Sequence, residues 1–292
     1  MIEKQGIVIK SVGGVFTVYG ADKQKTVCFS PKKLRYNRED VCVGDRVTFF
    51  VLSKGKGTIT DVLPRKNKLT RPEIANVDVA FVVVAPLPET DFLLVDKIIV
   101  NCFKSSVEPV VVVNKSDVAS EEYVEKVKSS YRDVCDVVVV SCKEGDVSAL
   151  EKYIDDKIVC FAGQSAVGKT SILNRLVPGL NKQVGDLSEK TQRGMHTTRH
   201  SQIFPVLGGY VVDTSGFSAL EVTDVESSQL MLYYDDMMAL SPKCKYNMCT
   251  HVAEPDCAVK QAVAEGKFDK DRYERYKMLY GELRESEKEK YQ

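Results

Sequence analysis

The chain has 292 residues, with 41 basic and 41 acidic side chains. This length exceeds that of a typical single domain, so we expect two or three domains with at least one sizeable core. The composition, 43% hydrophobic and 28% charged, excludes a fibrous or largely disordered chain. The longest apolar run, residues 79–87, is far shorter than the roughly 20 residues of a membrane-spanning helix. We therefore expect a cytoplasmic protein that does not associate with membranes.

The cysteines and the charges narrow the class further. Nine cysteines, most of them isolated in the sequence, argue against a secreted disulfide scaffold and for a reducing compartment. Residues 1–72 contain 15 Lys and Arg against 6 Asp and Glu, which gives +9 there and −9 in the remainder. A basic first domain favours docking on a polyanion such as RNA, and a solvated surface is the alternative.

Residues 1–63 alternate apolar and polar side chains in five short runs broken by Gly and Pro. This pattern predicts a five-stranded barrel of the oligonucleotide-binding (OB) type, a fold whose face and loops bind RNA, and the basic residues 32–36 suit that use. Residues 64–76 begin with a proline, contain another at position 72 and lack an apolar period, so we expect a linker there.

The pattern of residues 77–219 predicts an α/β domain at the centre of a multidomain chain. Continuous apolar runs at 79–85, 110–113, 137–140, 158–161 and 210–212 are separated by helix-length segments, as in a mostly parallel sheet covered on both faces. Residues 220–292 indicate a third, helical domain with a Cys/His cluster, and residues 260–292 are expected to form a solvated helix.

A phosphate-binding loop follows the run at 158–161. Residues 163–170 fit G-x-x-x-x-G-K-S/T between a strand and a helix, so their backbone N–H groups and the helix N-terminus are expected to wrap the phosphates. Lys169 is expected to reach the β and γ oxygens, and Thr170 to offer magnesium a hydroxyl. The nucleotide-binding residues expected here are Gly163, Gln164, Ser165, Ala166, Val167, Gly168, Lys169, Thr170 and Ser171.

Two further loops suit a guanine base. Asn114-Lys115-Ser116-Asp117 follows the run at 110–113, and the Asp117 carboxylate can accept both N1–H and N2–H of guanine. Lys115 can lay its stem on the base, and Asn114 can tie this loop to the phosphate loop. Ser141 and Cys142 follow the next strand, where a backbone N–H could meet the guanine O6.

Two polar segments are expected at the γ-phosphate and its magnesium. Asp213, after the run at 210–212, is expected at the magnesium water shell, and the Gly216 N–H at the γ-phosphate. Upstream, either Thr197 or Thr198 would offer the metal a second hydroxyl, within a polar stretch that can order around phosphate and metal.

Cys244, Cys249, His251 and Cys257 offer three thiolates and one imidazole, a complete tetrahedral set for one structural Zn²⁺ per chain. Three soft ligands without an open fourth position argue against catalysis by this metal.

These elements resemble the translation-factor-type GTPases in a circularly permuted order. With the basic barrel in front and the zinc cluster behind, nearly the whole chain resembles the RsgA family of ribosome small-subunit-dependent GTPases. The resemblance implies hydrolysis of GTP to GDP, stimulated by the small ribosomal subunit and its rRNA during late subunit maturation, by a protein that we expect to be monomeric. Ser215 and Cys142 stand where the family more often has Pro and Ala, and both positions contribute mainly backbone.

The residue that positions the attacking water is not the usual one. Many GTPases have glutamine directly after the Gly216 position, but this chain has Phe217, which cannot form the hydrogen bond. Of three histidines, His251 is assigned to zinc, which leaves His196 and His200, and His196 directly precedes the threonines expected at magnesium. We therefore expect His196 to be catalytic together with Lys169 and Thr170, with a contact to rRNA or solvent as the alternative.

Two other functions remain open from the sequence. One is a GTP-dependent switch that binds another structured RNA, and the other is a zinc RNA-binding module without nucleotide turnover. The presence of Lys169, Thr170 and Asp213 together speaks against the second.

Overall fold

The computed structural model describes residues 2–30, 40–53, 55–70, 73–182, 201–213, 222 and 225–290. Within these ranges, eleven strands form one continuous sheet. One part of this sheet closes on itself as a barrel, and the other part is the sheet of the α/β domain.

The N-terminal barrel is formed by β1 (Ile2–Val12), β2 (Val15–Gly20), β3 (Lys25–Phe29), β4 (Arg46–Ser53) and β5 (Lys56–Val62). Alternate side chains point inward, as the sequence alternation predicts. The interior is filled by Val8, Phe16, Val18, Cys28, Val47, Phe49 and Ile59. The expected five-stranded barrel is therefore confirmed, while the basic residues 32–36 lie outside the described residues.

The segment expected as a linker is packed onto the barrel. It contains a hairpin of β6 (Lys68–Thr70) and β7 (Glu73–Ala75). Gly44 adopts a φ of +91°, and a Cβ there would lie 2.1 Å from the Ala75 carbonyl oxygen, so the barrel and the hairpin approach at backbone distance. The Arg65 Nε donates to the buried Asp45 Oδ1 at 2.6 Å.

The α/β domain contains five parallel strands. They are β8 (Val79–Val84), β9 (Glu108–Val113), β10 (Asp136–Val139), β11 (Ile158–Ala162) and β13 (Gly209–Asp213). The antiparallel β12 (Gln202–Val206) pairs with β13, and its Gln202 also pairs with Lys10 of β1. The sheet of this domain is thereby continuous with the barrel.

Helices cover both faces of this sheet, as strands apolar on both sides require. One face packs against α1 (Phe92–Lys104) and α2 (Glu121–Tyr131). The other packs against α3 (Lys169–Leu176) and a 3₁₀ helix, Ser148–Tyr153.

The C-terminal region is helical. It comprises the 3₁₀ helices Ser227–Tyr233 and Ser241–Lys243, and α4 (Asp235–Met238), α5 (Ala258–Ala264) and α6 (Lys270–Lys290). The interpretation of residues 260–292 as a solvated helix is wrong for one face of α6, which buries Arg272, Tyr276, Leu279 and Leu283. The mixed charge of this segment did not indicate a buried face, because one of the buried side chains, Arg272, is itself charged and is buried in ion pairs. None of the described helices is both long and apolar enough to span a bilayer.

A buried ion cluster fastens α6 to the α/β domain. Asp96 of α1 accepts from Arg272 Nη1 at 3.1 Å, from Arg275 Nε at 2.5 Å and from the Tyr131 hydroxyl at 2.9 Å. Arg272 Nε also donates to Asp236 Oδ2 at 2.9 Å. Two carboxylates thus balance two guanidinium groups, which is the condition under which buried charges are tolerated.

Replacing Asp96 with the isosteric Asn should lower the free energy of unfolding by about 3–5 kcal/mol, because two buried guanidinium groups lose their shared carboxylate. Urea denaturation followed by circular dichroism measures this loss. As a control, Glu125→Ala removes the exposed pair with Lys128 and should change it by no more than about 0.5 kcal/mol. A loss for Asp96→Asn as small as that of the control would contradict the role given to the cluster.

Candidate functional site

Four loops with candidate residues lie at one edge of the parallel sheet. Asn114 follows β9, Ser141 closely follows β10, Gly163 follows β11, and Asp213 is the last residue of β13. Because these strands are parallel, their carboxyl ends meet at the same edge, where ligands of open α/β sheets bind. The fold therefore gathers the sequence motifs into one site.

The phosphate-type loop has backbone conformations that require its glycines. Gly163 and Gly168 have φ values of +120° and +101°, and a Cβ on Gly163 would lie 2.3 Å from the Val83 carbonyl oxygen. Ala166 also has a positive φ, +63°. The loop spans residues 163–168, between β11 and α3, and the first turn of α3 holds Lys169, Thr170 and Ser171.

Lys169 points back over its own loop. Its ammonium donates to the carbonyl oxygens of Gly163 at 2.6 Å and of Gln164 at 2.5 Å. Burial lowers the pKa of Lys169 to about 8, because a buried ammonium loses hydration. An anion at this loop would favour the charged form, so the site is electrostatically suited to phosphate oxygens.

Asn114 joins three of the loops. Its side chain is buried, its Nδ2 donates to the Val167 carbonyl oxygen at 2.9 Å, and its Oδ1 accepts from the Cys142 N–H at 3.5 Å. A Cβ on Gly168 would lie 2.2 Å from the Asn114 Nδ2, so the glycine makes room for this amide. The expected link between the Asn114 loop and the phosphate-type loop is thus present in the hydrogen bonds.

Lys115 and Asp117 belong to the same loop and make different contacts. Lys115 Nζ donates to the carbonyl oxygens of Leu87 at 2.7 Å and Ala166 at 2.9 Å, a second bridge to the phosphate-type loop. Asp117 Oδ1 accepts from the Ser141 hydroxyl at 2.9 Å. This hydrogen bond lowers the pKa of Asp117, so the carboxylate stays ionised and can accept two neighbouring donors.

The side of the site where the sequence predicts magnesium is described in part. Asp213 pairs with the ammonium of Lys182, and Lys182 is held by the side chain of Asn174 on α3. Four expected residues lie outside the described residues: His196, Thr197, Thr198 and Gly216.

The Cys/His cluster is assembled in the C-terminal region. One ligand atom from each of Cys244, Cys249, His251 and Cys257 lies within 4.8 Å of the others. His251 Nδ1 is 3.6 Å from Cys244 Sγ and 3.3 Å from Cys257 Sγ, and the two sulfurs are 4.0 Å apart. These separations match the edges of a small tetrahedron built on metal–ligand bonds of about 2.0–2.3 Å.

The loop that carries the cluster is anchored on α6. The Tyr273 hydroxyl donates to the His251 carbonyl oxygen and the Tyr276 hydroxyl to that of Thr250, each at 2.7 Å. Glu254 accepts from the Thr250 N–H at 2.9 Å and from the Val252 N–H at 3.2 Å. The cluster is therefore rigidly connected to the helix that docks on α1.

Sequence reasoning missed several side-chain contacts that shape the site. Ser141 was expected to contribute its backbone, but its side chain orients Asp117. Arg175 of α3 donates to the Cys142 carbonyl oxygen at 3.2 Å, and the Gln164 side chain accepts from the Asp91 N–H at 3.2 Å. These contacts join residues far apart in sequence, and no local spacing signals them.

The comparisons with known proteins agree with this architecture. The model of the RsgA GTPase family matches residues 62–223. Proteins named small ribosomal subunit biogenesis GTPase RsgA are 39% identical in Thermotoga neapolitana, over 97% of this chain and 98% of the relative, and 39% identical in Caldanaerobacter subterraneus, over 98% of each.

Two solved structures share the whole fold. The crystal structure of YjeQ from Thermotoga maritima superposes with a TM-score of 0.84 at 36% identity, covering 97% of this chain and 99% of that one. The structure of YloQ, a circularly permuted GTPase, gives a TM-score of 0.83 at 29% identity, covering 98% and 96%. The permuted order of the site loops, the family match and the near-full-length relatives lead to one conclusion: the chain belongs to the RsgA GTPase family.

Proposed function

We propose that this GTPase binds the small ribosomal subunit and its rRNA in the cytoplasm, and hydrolyses GTP to GDP as a monomer in late subunit maturation. The observation that carries the proposal is the convergence of a guanine-type loop and a phosphate-type loop at one sheet edge, joined through Asn114. Relatives matched over nearly their full length are named for small-subunit biogenesis, which supports the choice of partner.

Guanine selection is assigned to Asp117. Its carboxylate, oriented by Ser141, accepts the two neighbouring N–H groups that guanine presents and adenine does not. Lys115 bridges from the loop of residues 114–117 to the phosphate-type loop, where its aliphatic stem can cover the base. The backbone N–H groups of residues 163–171 and the Lys169 ammonium hold the phosphates in this proposal.

Replacing Asp117 with Asn should weaken GTP binding by about 10²-fold or more, because an amide cannot accept both guanine donors, and selectivity over ATP should shrink. Equilibrium binding of fluorescent GTP and ATP analogues measures both effects. As a matched control, Asp61→Asn changes an exposed carboxylate of the barrel, which accepts from the Val62 N–H at 2.9 Å, and should leave nucleotide binding near wild type. Guanine preference retained in Asp117→Asn would show that another loop reads the base.

Magnesium is assigned to Thr170, Asp213 and one of Thr197 and Thr198. Hydroxyl and carboxylate oxygens are the hard donors that this ion prefers, and a cation, the ammonium of Lys182, already lies against Asp213. The ion would supply charge neutralisation at the β and γ oxygens. Thr170 lies in the first turn of α3, the helix that follows the phosphate-type loop, and Asp213 ends the strand beside β11.

Zinc is assigned to the Cys/His cluster. The donor set and its short separations suit one structural Zn²⁺. Burial raises the pKa of the Cys249 thiol, and a divalent cation offsets this rise by favouring the thiolate over the thiol. Burial lowers the pKa of the His251 imidazole.

Protein purified without a tag or chelator should contain about one zinc per chain, and Cys249→Ser should lower this content sharply. Inductively coupled plasma mass spectrometry measures the metal. Cys135→Ser, which changes a cysteine far from the cluster in the chain, is the matched control and should keep the zinc. A wild-type protein free of zinc under reducing conditions would refute the assignment.

The basic barrel is proposed to hold rRNA, and His196 to orient the attacking water. Support for the barrel comes from its closed five-stranded architecture and the +9 charge of residues 1–72. Support for His196 comes from Phe217, which follows Gly216 and cannot hydrogen-bond the water. Chemistry would then depend on a partner that places this residue at the attacking water, as in other partner-stimulated GTPases.

GTP turnover measured with purified small subunits, large subunits and an unrelated structured RNA tests the proposal. Small subunits alone should stimulate turnover strongly, and Lys169→Ala should abolish it. His196→Ala should lower the stimulated rate by roughly 10²-fold or more while nucleotide and subunit binding stay near wild type.

Two outcomes would count against the proposal. Equal stimulation by unrelated RNA would favour a general RNA-binding switch. A His196→Ala rate that falls only in proportion to lost subunit binding would make His196 a docking residue.

A further inference from the structure

Lys182 lies beside the nucleotide loops, and the sequence motifs assign it no role. Its ammonium pairs with the carboxylate of Asp213, the last residue of β13. Its main chain is fixed separately by Asn174 of α3, whose Nδ2 donates to the Lys182 carbonyl oxygen at 2.9 Å and whose Oδ1 accepts from the Lys182 N–H at 3.2 Å. The backbone position of Lys182 is therefore set by α3, and its side chain reaches from there to Asp213.

Asn174 also relates Lys182 to the start of α3. Residues four apart in a helix lie on the same face, so Asn174 lies one turn beyond Thr170 on the face that carries it. Two independent contacts thus bring Lys182 to the side of the site assigned to magnesium: the bond to Asn174 and the ion pair with Asp213. The carboxylate side chain of Asp213 is only 18% exposed, so the pair is less screened than an open surface pair.

A lysine ammonium and a hydrated divalent cation that both approach the Asp213 carboxylate repel each other, and the repulsion is strong where solvent is partly excluded. We propose that Lys182 is a positioning residue that competes with Mg²⁺ for Asp213. The ammonium neutralises and orients the carboxylate in the absence of metal, and it leaves when Mg²⁺ and nucleotide bind. This inference rests on the proposed function, in which Asp213 faces the magnesium.

The competition predicts the direction in which the Mg²⁺ requirement changes. Displacing the ammonium consumes part of the free energy of Mg²⁺ binding, so more Mg²⁺ is needed to retain nucleotide than if Asp213 had no lysine partner. Removing the ammonium therefore lowers the Mg²⁺ requirement. If Lys182 instead bound phosphate, its removal would weaken nucleotide binding even without metal, and the two roles are experimentally distinct.

The test uses the full chain loaded with a fluorescent GDP analogue. The rate of nucleotide release is measured as Mg²⁺ is raised from zero, without a chelator, so that the Cys/His cluster is not disturbed. The midpoint is the Mg²⁺ concentration at which half of the change in release rate has occurred. Lys182→Met should lower this midpoint by about two- to fivefold, the range expected for a partly exposed ion pair. Lys182→Arg keeps the cation and should restore a midpoint near wild type.

The matched control is Lys157→Met. It makes the same charge change at the amino end of β11, where Lys157 pairs with Glu108 at 3.1 Å, and should leave the midpoint unchanged. An unchanged or raised midpoint in Lys182→Met would overturn the competition. Weaker GDP binding without Mg²⁺ would overturn it in favour of a phosphate ligand.

Asp213→Asn separates this inference from the function on which it rests. A midpoint equal to wild type in Asp213→Asn would show that Asp213 does not face the metal, and the assigned magnesium site itself would fail. If Asp213→Asn raises the midpoint and Lys182→Met then has no further effect, the competition at Asp213 is supported. A Lys182→Met shift that persists without the Asp213 carboxylate would show that the lysine acts elsewhere, and the inference would fail while the magnesium site stands.

Discussion

The nucleotide site depends on one buried amide. Asn114 is 1% exposed, and its side chain joins the loop after β9 to those after β10 and β11. An apolar side chain of the same size would leave the buried Val167 carbonyl oxygen without this donor, at a cost of about 1–3 kcal/mol. The loop of residues 114–117 and the phosphate-type loop are therefore fixed in position relative to each other. Gly168 is required because the Asn114 amide occupies the space that a Cβ would fill.

The same constraint explains why the permuted order of motifs still makes one site. A loop's place along the chain does not matter when every loop starts at the carboxyl end of a parallel strand. Order along the sheet, β10-β9-β8-β11-β13, decides which loops are neighbours. Asn114 and Lys115 both bridge to residues 166–167 although more than fifty positions separate them.

Much of this arrangement could be predicted from the sequence because its signals are local. Apolar runs followed by Gly or polar motifs gave the strands and the site loops, and alternation gave the barrel. The hairpin of β6 and β7 escaped because three-residue strands are too short to show a period. The single pair of Lys10 with Gln202, which joins barrel and sheet, has no local signal at all.

Charged residues were the hardest to interpret. The sequence pattern placed Arg272 and Arg275 in a solvated helix, yet they pair with Asp96, which lies in a largely apolar helix. Burial of an ion pair is decided by the partner in space, and the partner here is about 180 positions away. The Ser141 side chain that orients Asp117 escaped for the same reason.

Two sets of contacts hold the C-terminal region in place. The Asp96 cluster fastens α6 to α1, and Arg272 of α6 also pairs with Asp236 of α4. The 3₁₀ helix Ser227–Tyr233 is also held on α6, since Ser227 donates from its N–H and its hydroxyl to Glu287 at 2.5 and 3.0 Å. The Cys/His cluster and the 3₁₀ helix Ser227–Tyr233 are therefore both fastened to α6, and the Asp96 cluster joins this unit to α1 of the α/β domain.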